Sequence, residues 1–325
     1  MSNTLLTEET FNAEMAKKNA ILQAIADSIT PSPYIYMSSN EYMAITPDAD
    51  KLYWVLGDSG AHGIYKNGVL VEGTSVVSEW LRLQAMVRAG TISQSYSVGD
   101  QLTIKYNNTD ELWDIVAFDV STPADTSKTH SMTLMRHDLL ADNMMFDNKE
   151  PNNTNSDRKN YGNNRYLHSN LRLWLNSSGA AGSWWTSQHT YDAAPDYAST
   201  KAGYMAGFES DFLDVLAEVK NKVVKNTVTD GGSYEEVTDT FFLASNTEVG
   251  LTNENSIAEG ALFPYFSSNT QRTKIRTGQS SASFWWLRTP SASSSYHVRG
   301  VGSSGALSIG TACYTSGVCP ACVIA

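Results

Sequence analysis

The segment from Phe284 to Ala325 constrains this chain more than any other. It opens on Phe284-Trp285-Trp286-Leu287-Arg288-Thr289-Pro290 and closes on Gly317-Val318-Cys319-Pro320-Ala321-Cys322-Val323-Ile324-Ala325. Between these apolar blocks lies a span of Ser, Gly, Ala, Thr, Tyr and His with almost no charge. A rigid apolar frame around a permissive polar middle suits a binding surface better than a hydrolytic or redox centre. Trp285 and Trp286 are adjacent, so on a strand they face opposite sides of a sheet. One is expected to fill a core and the other to support a surface. Pro290 ends the run, since it cannot donate to a sheet ladder. Beyond it, Tyr296, Val298, Gly300 and Gly302 share one parity and His297, Arg299 and Val301 the other. Ser303-Ser304-Gly305 predicts a hairpin turn, residues 306–309 the return strand, and Val323-Ile324 a short final strand.

These blocks carry a resemblance. Trp286-Leu287-Arg288-Thr289-Pro290, the Ser-rich span, Ser304-Gly305 and Gly317-Val318-x-Pro320-Ala321 resemble the end of a C-type-lectin-like domain. The subtype is the one shared by formylglycine-generating enzymes and by the variable proteins of diversity-generating retroelements. Upstream, Trp113-Asp114-Ile115-Val116, Asn164-Arg165-Tyr166, Leu171-Arg172-x-Trp174-Leu175-Asn176 and Gly207-Phe208-Glu209-Ser210-Asp211-Phe212-Leu213 fall in the family's order. The resemblance runs from about Gly99 to the end. It departs at Cys319, where the family usually carries an Arg before the final Pro-Ala. It implies an α+β, C-type-lectin-like fold over residues 99–325. Residues 1–30 would add an N-terminal helix, 31–73 a small β-hairpin module and 74–98 a linker helix.

Composition excludes several functions. A net charge of −11 disfavours nucleic acid and anionic membranes as partners, since both want a basic face. No run approaches the ~20 apolar residues of a membrane span. Met1-Ser2-Asn3-Thr4 lacks the basic-then-apolar pattern of a signal peptide. That fits a phage virion protein made in the host cytoplasm better than a secreted adhesin. All three cysteines lie after residue 312, which is no disulfide framework.

Thr7 to Ser28 predicts a helix, with Thr7 as cap and Phe11, Met15, Leu22, Ile25 and Ile29 on one stripe. It either packs on its own domain or forms an oligomerising, trimeric stalk. Tyr34–Tyr36, Tyr42–Ile45, Leu52–Leu56 and Gly63–Tyr65 predict short strands, with Asp58-Ser59-Gly60 and Lys66-Asn67-Gly68 as turns. Thr74 to Ala89 predicts a second helix, stopped by Gly90. Strands follow at Leu102–Ile104, Trp113–Phe118, Met132–Met135 and Phe241–Leu243. Ser169 caps a helix, and Phe208, Phe212, Val215 and Leu216 have the spacing of another. Residues 147–165 are Asn-rich and predict a solvated surface loop. Calcium is the weaker reading there, for want of regular ligand spacing.

No catalytic constellation emerges. The six histidines form no metal-binding pair of zincin type, and neither a phosphate-binding loop nor a nucleophile elbow occurs. Cys319-x-x-Cys322 has redox spacing, but incidental small residues or a local disulfide explain it more simply. No catalytic residue, cofactor or metal is expected. If the resemblance holds, adenine-directed mutagenesis would enrich the C-terminal span in Ser, Tyr, Cys, Gly, His, Arg and Thr. Ser293, Ser294, Ser295, Tyr296, His297, Arg299, Ser308, Thr311, Cys313 and Tyr314 are the expected ligand contacts. Tyr, Ser and Gly are also what paratopes favour. Trp285 and Trp286 are the expected scaffold. The expected partner is a protein or glycan on a bacterial cell surface, bound during host attachment. Two alternatives stand beside it: an enzyme of the formylglycine-generating type, dependent on copper or thiols, and a structural virion protein whose Ser and Gly merely fill loops.

Overall fold

The computed structural model describes residues 15–20, 34–57, 62–73 and 78–325. The chain divides into two compact units between Ser78 and Glu79. In the first, residues 15–20 are helical; the remainder of the expected N-terminal helix lies outside the described residues, as does the turn at Asp58-Ser59-Gly60.

The rest of the first unit is a four-stranded sheet in the order β1 (Tyr34–Ser38), β2 (Leu52–Leu56), β3 (His62–Lys66), β4 (Val69–Gly73). The β1–β2 pair is parallel and the others antiparallel. Asn67 and Gly68 both take positive φ, as the tight β3–β4 hairpin requires. One expected strand is not a strand: Tyr42 and Met43 belong to a short helix, α1 (Ser39–Met43). Its start is a capping box. The Glu41 amide donates to Ser38 Oγ, and the Ser38 amide donates back to the Glu41 carboxylate at 2.7 Å.

The second unit is mixed α+β. Its main sheet runs in the order β11 (Phe241–Leu243), β16 (Pro320–Ile324), β7 (Met132–Arg136), β6 (Thr109–Phe118), β5 (Gln101–Tyr106). The last strand of the chain therefore lies inside the sheet, antiparallel to both neighbours. Apolar residues cover both faces. On β16 and its flanking residues, Cys322 and Ile324 enter one core cluster, while Cys319, Ala321, Val323 and Ala325 enter the other. Alternation along a doubly buried strand requires this split.

Shorter pieces frame that sheet: β8 (Met144–Met145) with β15 (Thr315–Ser316), β9 (Val219–Val224) with β10 (Tyr234–Asp239), and the meander β12 (Trp285–Pro290), β13 (His297–Val301), β14 (Leu307–Thr311). Helix α2 (Glu79–Arg88) stops at Gly90, whose φ is +67°. Gln84 ties it to the chain end by donating to the Ala325 carbonyl at 3.1 Å. Helices α3 (Ser156–Tyr161) and α4 (Asn170–Leu175) are capped by Asn155 and Ser169. The expected helix over Phe208–Leu216 shrinks to one turn, α5 (Ser210–Leu213). Phe208, Phe212 and Val215 are buried all the same, and Leu216 partly so: Phe208 stacks on Phe241, and Phe212 meets Trp80 edge-on.

Candidate functional site

The β12–β13–β14 meander carries the residues singled out in the sequence. Trp285 and Trp286 are both fully buried, and they belong to different core clusters. Opposite faces of β12 are thus filled by opposite cores. Trp285 Nε1 donates to the Arg272 carbonyl and Trp286 Nε1 to the Met144 carbonyl, so neither indole leaves a polar orphan.

Phe284 and Trp286 form the floor under β13 and β14. A Cβ on Gly310 would stand 2.6 Å from the Trp286 ring, and one on Gly300 would stand 2.2 Å from Phe284. Both glycines exist because the sheet lies directly on these rings. In the β13–β14 register, His297 faces Thr311, Arg299 faces Ile309, and Gly300 faces Ser308. His297, Arg299, Ile309 and Thr311 therefore share the outer face. Ser308 shares the reverse face with Val298, Gly300 and Gly310.

The loop ahead of β13 is held largely through its main chain, with the Ser294 hydroxyl accepting from the amides of Tyr296 (3.3 Å) and His297 (3.1 Å). Buried Asn164 donates through Nδ2 to the carbonyls of Ser294 (2.7 Å) and His297 (2.9 Å). Arg158 Nε donates to the Ser295 carbonyl, and Thr227 Oγ1 to the Ala292 carbonyl. Glu254 accepts from the Ala292 amide at 2.7 Å and from Arg299 Nε at 2.7 Å. Ser295 is fully buried, its hydroxyl 3.4 Å from Asn155 Oδ1, so it is part of the support rather than a ligand contact.

What remains outside is a patch. Ser293 is exposed, and Ser294, Tyr296, His297, Arg299, Thr311 and Cys313 are half-buried. Tyr314 is 61% exposed. The Tyr296 ring lies 4.0 Å from His297 and 4.7 Å from Tyr161. Burial, with Arg299 adding to it, holds His297 below the usual histidine range, so the ring is neutral near pH 7.

Two neighbours escaped sequence reasoning. Tyr161 ends α3, in the span expected to be a solvated loop, and its carbonyl accepts from the Cys313 amide at 3.0 Å. Ile309 is 43% exposed on the outer face. The parity of His297 and Arg299, carried across the turn, was the available signal for it.

The Asn-rich span itself is not solvated throughout. Asp147, Glu150, Asn163 and Asn164 are buried. Asp147 accepts from the amides of Asn163 and Asn170, while burial and the nearby Asp192 and Glu150 push its carboxyl well above the usual range. Glu150 accepts from Asn163 Nδ2 at 3.0 Å and lies 3.2 Å from His189. The asparagines serve as internal braces because an amide both donates and accepts without carrying charge.

The cysteines are free thiols. Cys319 and Cys322 face opposite cores, so they do not bridge to each other. Burial pushes the Cys319 thiol up to about 11 and Cys322 well above its ordinary value. Neither is a thiolate at neutral pH. Where the resemblance leads one to expect Arg, Cys319 Sγ sits 3.1 Å from the Arg136 carbonyl.

Residues 130–325 match the family described as a domain of unknown function, DUF6273. The chain belongs to that family. The DUF6273 segment runs from just before β7 to the chain end, so it contains the whole candidate surface and its braces. Strands β5 and β6 and helix α2 lie ahead of it. No curated protein and no solved structure matches the chain.

Proposed function

We propose that this DUF6273 protein has a C-type-lectin-like fold and is a ligand-binding, variable protein of the diversity-generating retroelement type. Its outer β13–β14 surface binds a protein or glycan on a bacterial cell surface, in a phage virion, during host attachment. Short strands with a few short helices between them fit that fold. One observation carries the reading: the loop and hairpin at 291–314 are fixed through backbone atoms and buried braces, while the exposed side chains do almost none of the fixing. Side chains at 293, 296, 297, 311 and 314 can therefore change without unfolding what holds them, whereas the Ser294 hydroxyl accepts from the Tyr296 and His297 amides and belongs to the support. The residues now present have paratope chemistry: Tyr gives rigid amphipathic area, Ser and neutral His give adaptable hydrogen bonds, and Arg299 gives a charged donor.

Tyr296→Ala combined with Tyr314→Ala is the direct test. Attachment to the native host cell should weaken by roughly 30-fold or more, as loss of aromatic anchors does. The melting curve should not move. Unchanged attachment would remove the surface from the binding reaction. A near-copy of the 3′ coding sequence differing at adenines, found in the neighbouring DNA, would support diversification; its absence would leave a fixed binding surface.

A further inference from the structure

A cavity of about 470 Å³ opens outside that surface, between β5, β6, β7 and the segment at 201–207. None of its lining residues belongs to β13 or β14. The volume falls within the range of small-molecule sites. Its walls are built, not accidental. The Tyr106 ring packs directly on Gly207, where a Cβ would stand 2.2 Å from the ring. Trp174 Nε1 donates to the Ala202 carbonyl at 2.7 Å and Trp184 Nε1 to the Lys201 carbonyl at 2.8 Å, so two buried indoles pin the opposite wall.

The charges inside are paired. Arg136, 3% exposed, meets Glu111 Oε1 at 2.7 Å and donates to Thr277 Oγ1 at 3.1 Å. At the rim, Lys201 pairs with Asp142. The site is thus electrically balanced before any ligand enters, and a charged ligand would meet no unopposed partner. Among the residues that line the cavity, two side-chain atoms shielded from solvent have no hydrogen-bond partner within the described residues: Glu111 Oε2, an acceptor, and Arg136 Nε, a donor. Buried orphans of this kind are rare and ask for an explanation. Here an acceptor and a donor belong to one ion pair, beside the aromatic faces of Tyr106 and Trp174. A hydroxyl both donates and accepts, and a ring of C–H groups covers an aromatic face.

We propose that this cavity is a second, fixed binding site for a neutral, hydroxyl-rich small molecule of about monosaccharide size, with Glu111 and Arg136 as its polar contacts and Tyr106 and Trp174 as its walls. The proposal does not depend on the β13–β14 surface or on what that surface binds.

The experiment is titration of the full chain with D-glucose, D-galactose, N-acetyl-D-glucosamine and myo-inositol, followed by amide-resolved NMR. D-glucuronate and D-glucosamine serve as charged counterparts. At least one neutral probe should give saturable shifts at Gly203 and Gly207 at millimolar concentration, and the charged counterparts should bind more weakly. Ala206 is exposed at the cavity wall, so Ala206→Trp fills the space without touching the core. It should weaken binding at least about tenfold. Tyr296→Ala with Tyr314→Ala should leave it unchanged. No saturable shift with any neutral probe, tighter binding of the charged ones, or indifference to Ala206→Trp in a variant with wild-type melting would each overturn the proposal.

Discussion

At the scale of single residues, the support beneath the candidate surface is polar as well as aromatic. Glu259 is fully buried and accepts from the Val224 amide at 2.9 Å and from the Thr289 hydroxyl. Burial pushes its carboxyl up to about 7. A folded-state pKa above the unfolded one means that the folded protein holds its proton longer. The contribution of Glu259 to stability is therefore full below pH ~4.5 and is lost as pH rises through about 7. Glu259→Gln keeps the shape and removes the ionisation. Chemical denaturation from pH 4 to 8 should show a flatter decline for the variant, with a difference on the order of 3 kcal/mol across the window. Asp147 and Asp239 are displaced in the same direction, so part of the wild-type slope should persist. Parallel curves for the two proteins would show that Glu259 ionises freely in the fold. None of these acids was legible in the sequence. Asn164, Glu150 and Asp147 sit in a stretch whose composition reads as solvated loop. Nothing in a single sequence shows that an asparagine amide will be spent on the carbonyls of residues 294 and 297. The tryptophans were legible, because two adjacent indoles on a strand have only one way to be buried.

At the scale of elements, legibility followed local chemistry. The β13–β14 hairpin was readable from parity and from Ser303-Ser304-Gly305, and α4 from its Ser169 cap. The strand expected at Tyr42–Ile45 was misread because Ser38 and Glu41, three apart, start a helix; the apolar run behind them masked a capping box that was present in the sequence. The helix expected over Phe208–Leu216 had the right residues inside and the wrong backbone. Burial requires only that the side chains converge, and Phe208 converges from an extended approach. The hairpin's division of labour makes a sharp prediction. Gly310→Ala must push a methyl group into Trp286, and overpacking of this kind costs about 1–3 kcal/mol. Ile309→Ser, one residue earlier on the outer face, should stay within about 0.5 kcal/mol of wild type. Thermal unfolding of the two variants checks it. Equal losses would mean that outer and inner faces are not energetically separate, and the hairpin would no longer qualify as a platform for exchangeable side chains.

At the scale of the whole molecule, the question is where the second unit begins. The sequence resemblance starts near Gly99, and the DUF6273 match starts at residue 130. The packing starts earlier. Leu83, Met86 and Val87 of α2 are buried in the same core cluster as Trp113 and Phe212. Gln84 holds the carbonyl of the last residue, and Trp80 rests on Phe212. Burying three side chains of this size contributes roughly 1.5–3 kcal/mol each. That sum is comparable to the ~5–15 kcal/mol that separates a folded domain from its unfolded chain. A helix that local pattern marks as a linker is therefore part of the domain, a fact that depends on contacts between residues more than 100 positions apart in sequence. Expressed alone, residues 79–325 should melt in one cooperative transition with a sharp near-ultraviolet dichroism. Residues 99–325 should lose that transition and bind a hydrophobic dye, since the α2 seat on Phe212 and the chain end would be open to water. Residues 130–325 should fare worse, because β5 and β6, with the buried Trp113, are stripped from one side of the sheet and β7 becomes an edge. If the 99–325 fragment melted as cooperatively as the 79–325 fragment, α2 would be an accessory, and the domain boundary would return to where the sequence resemblance begins.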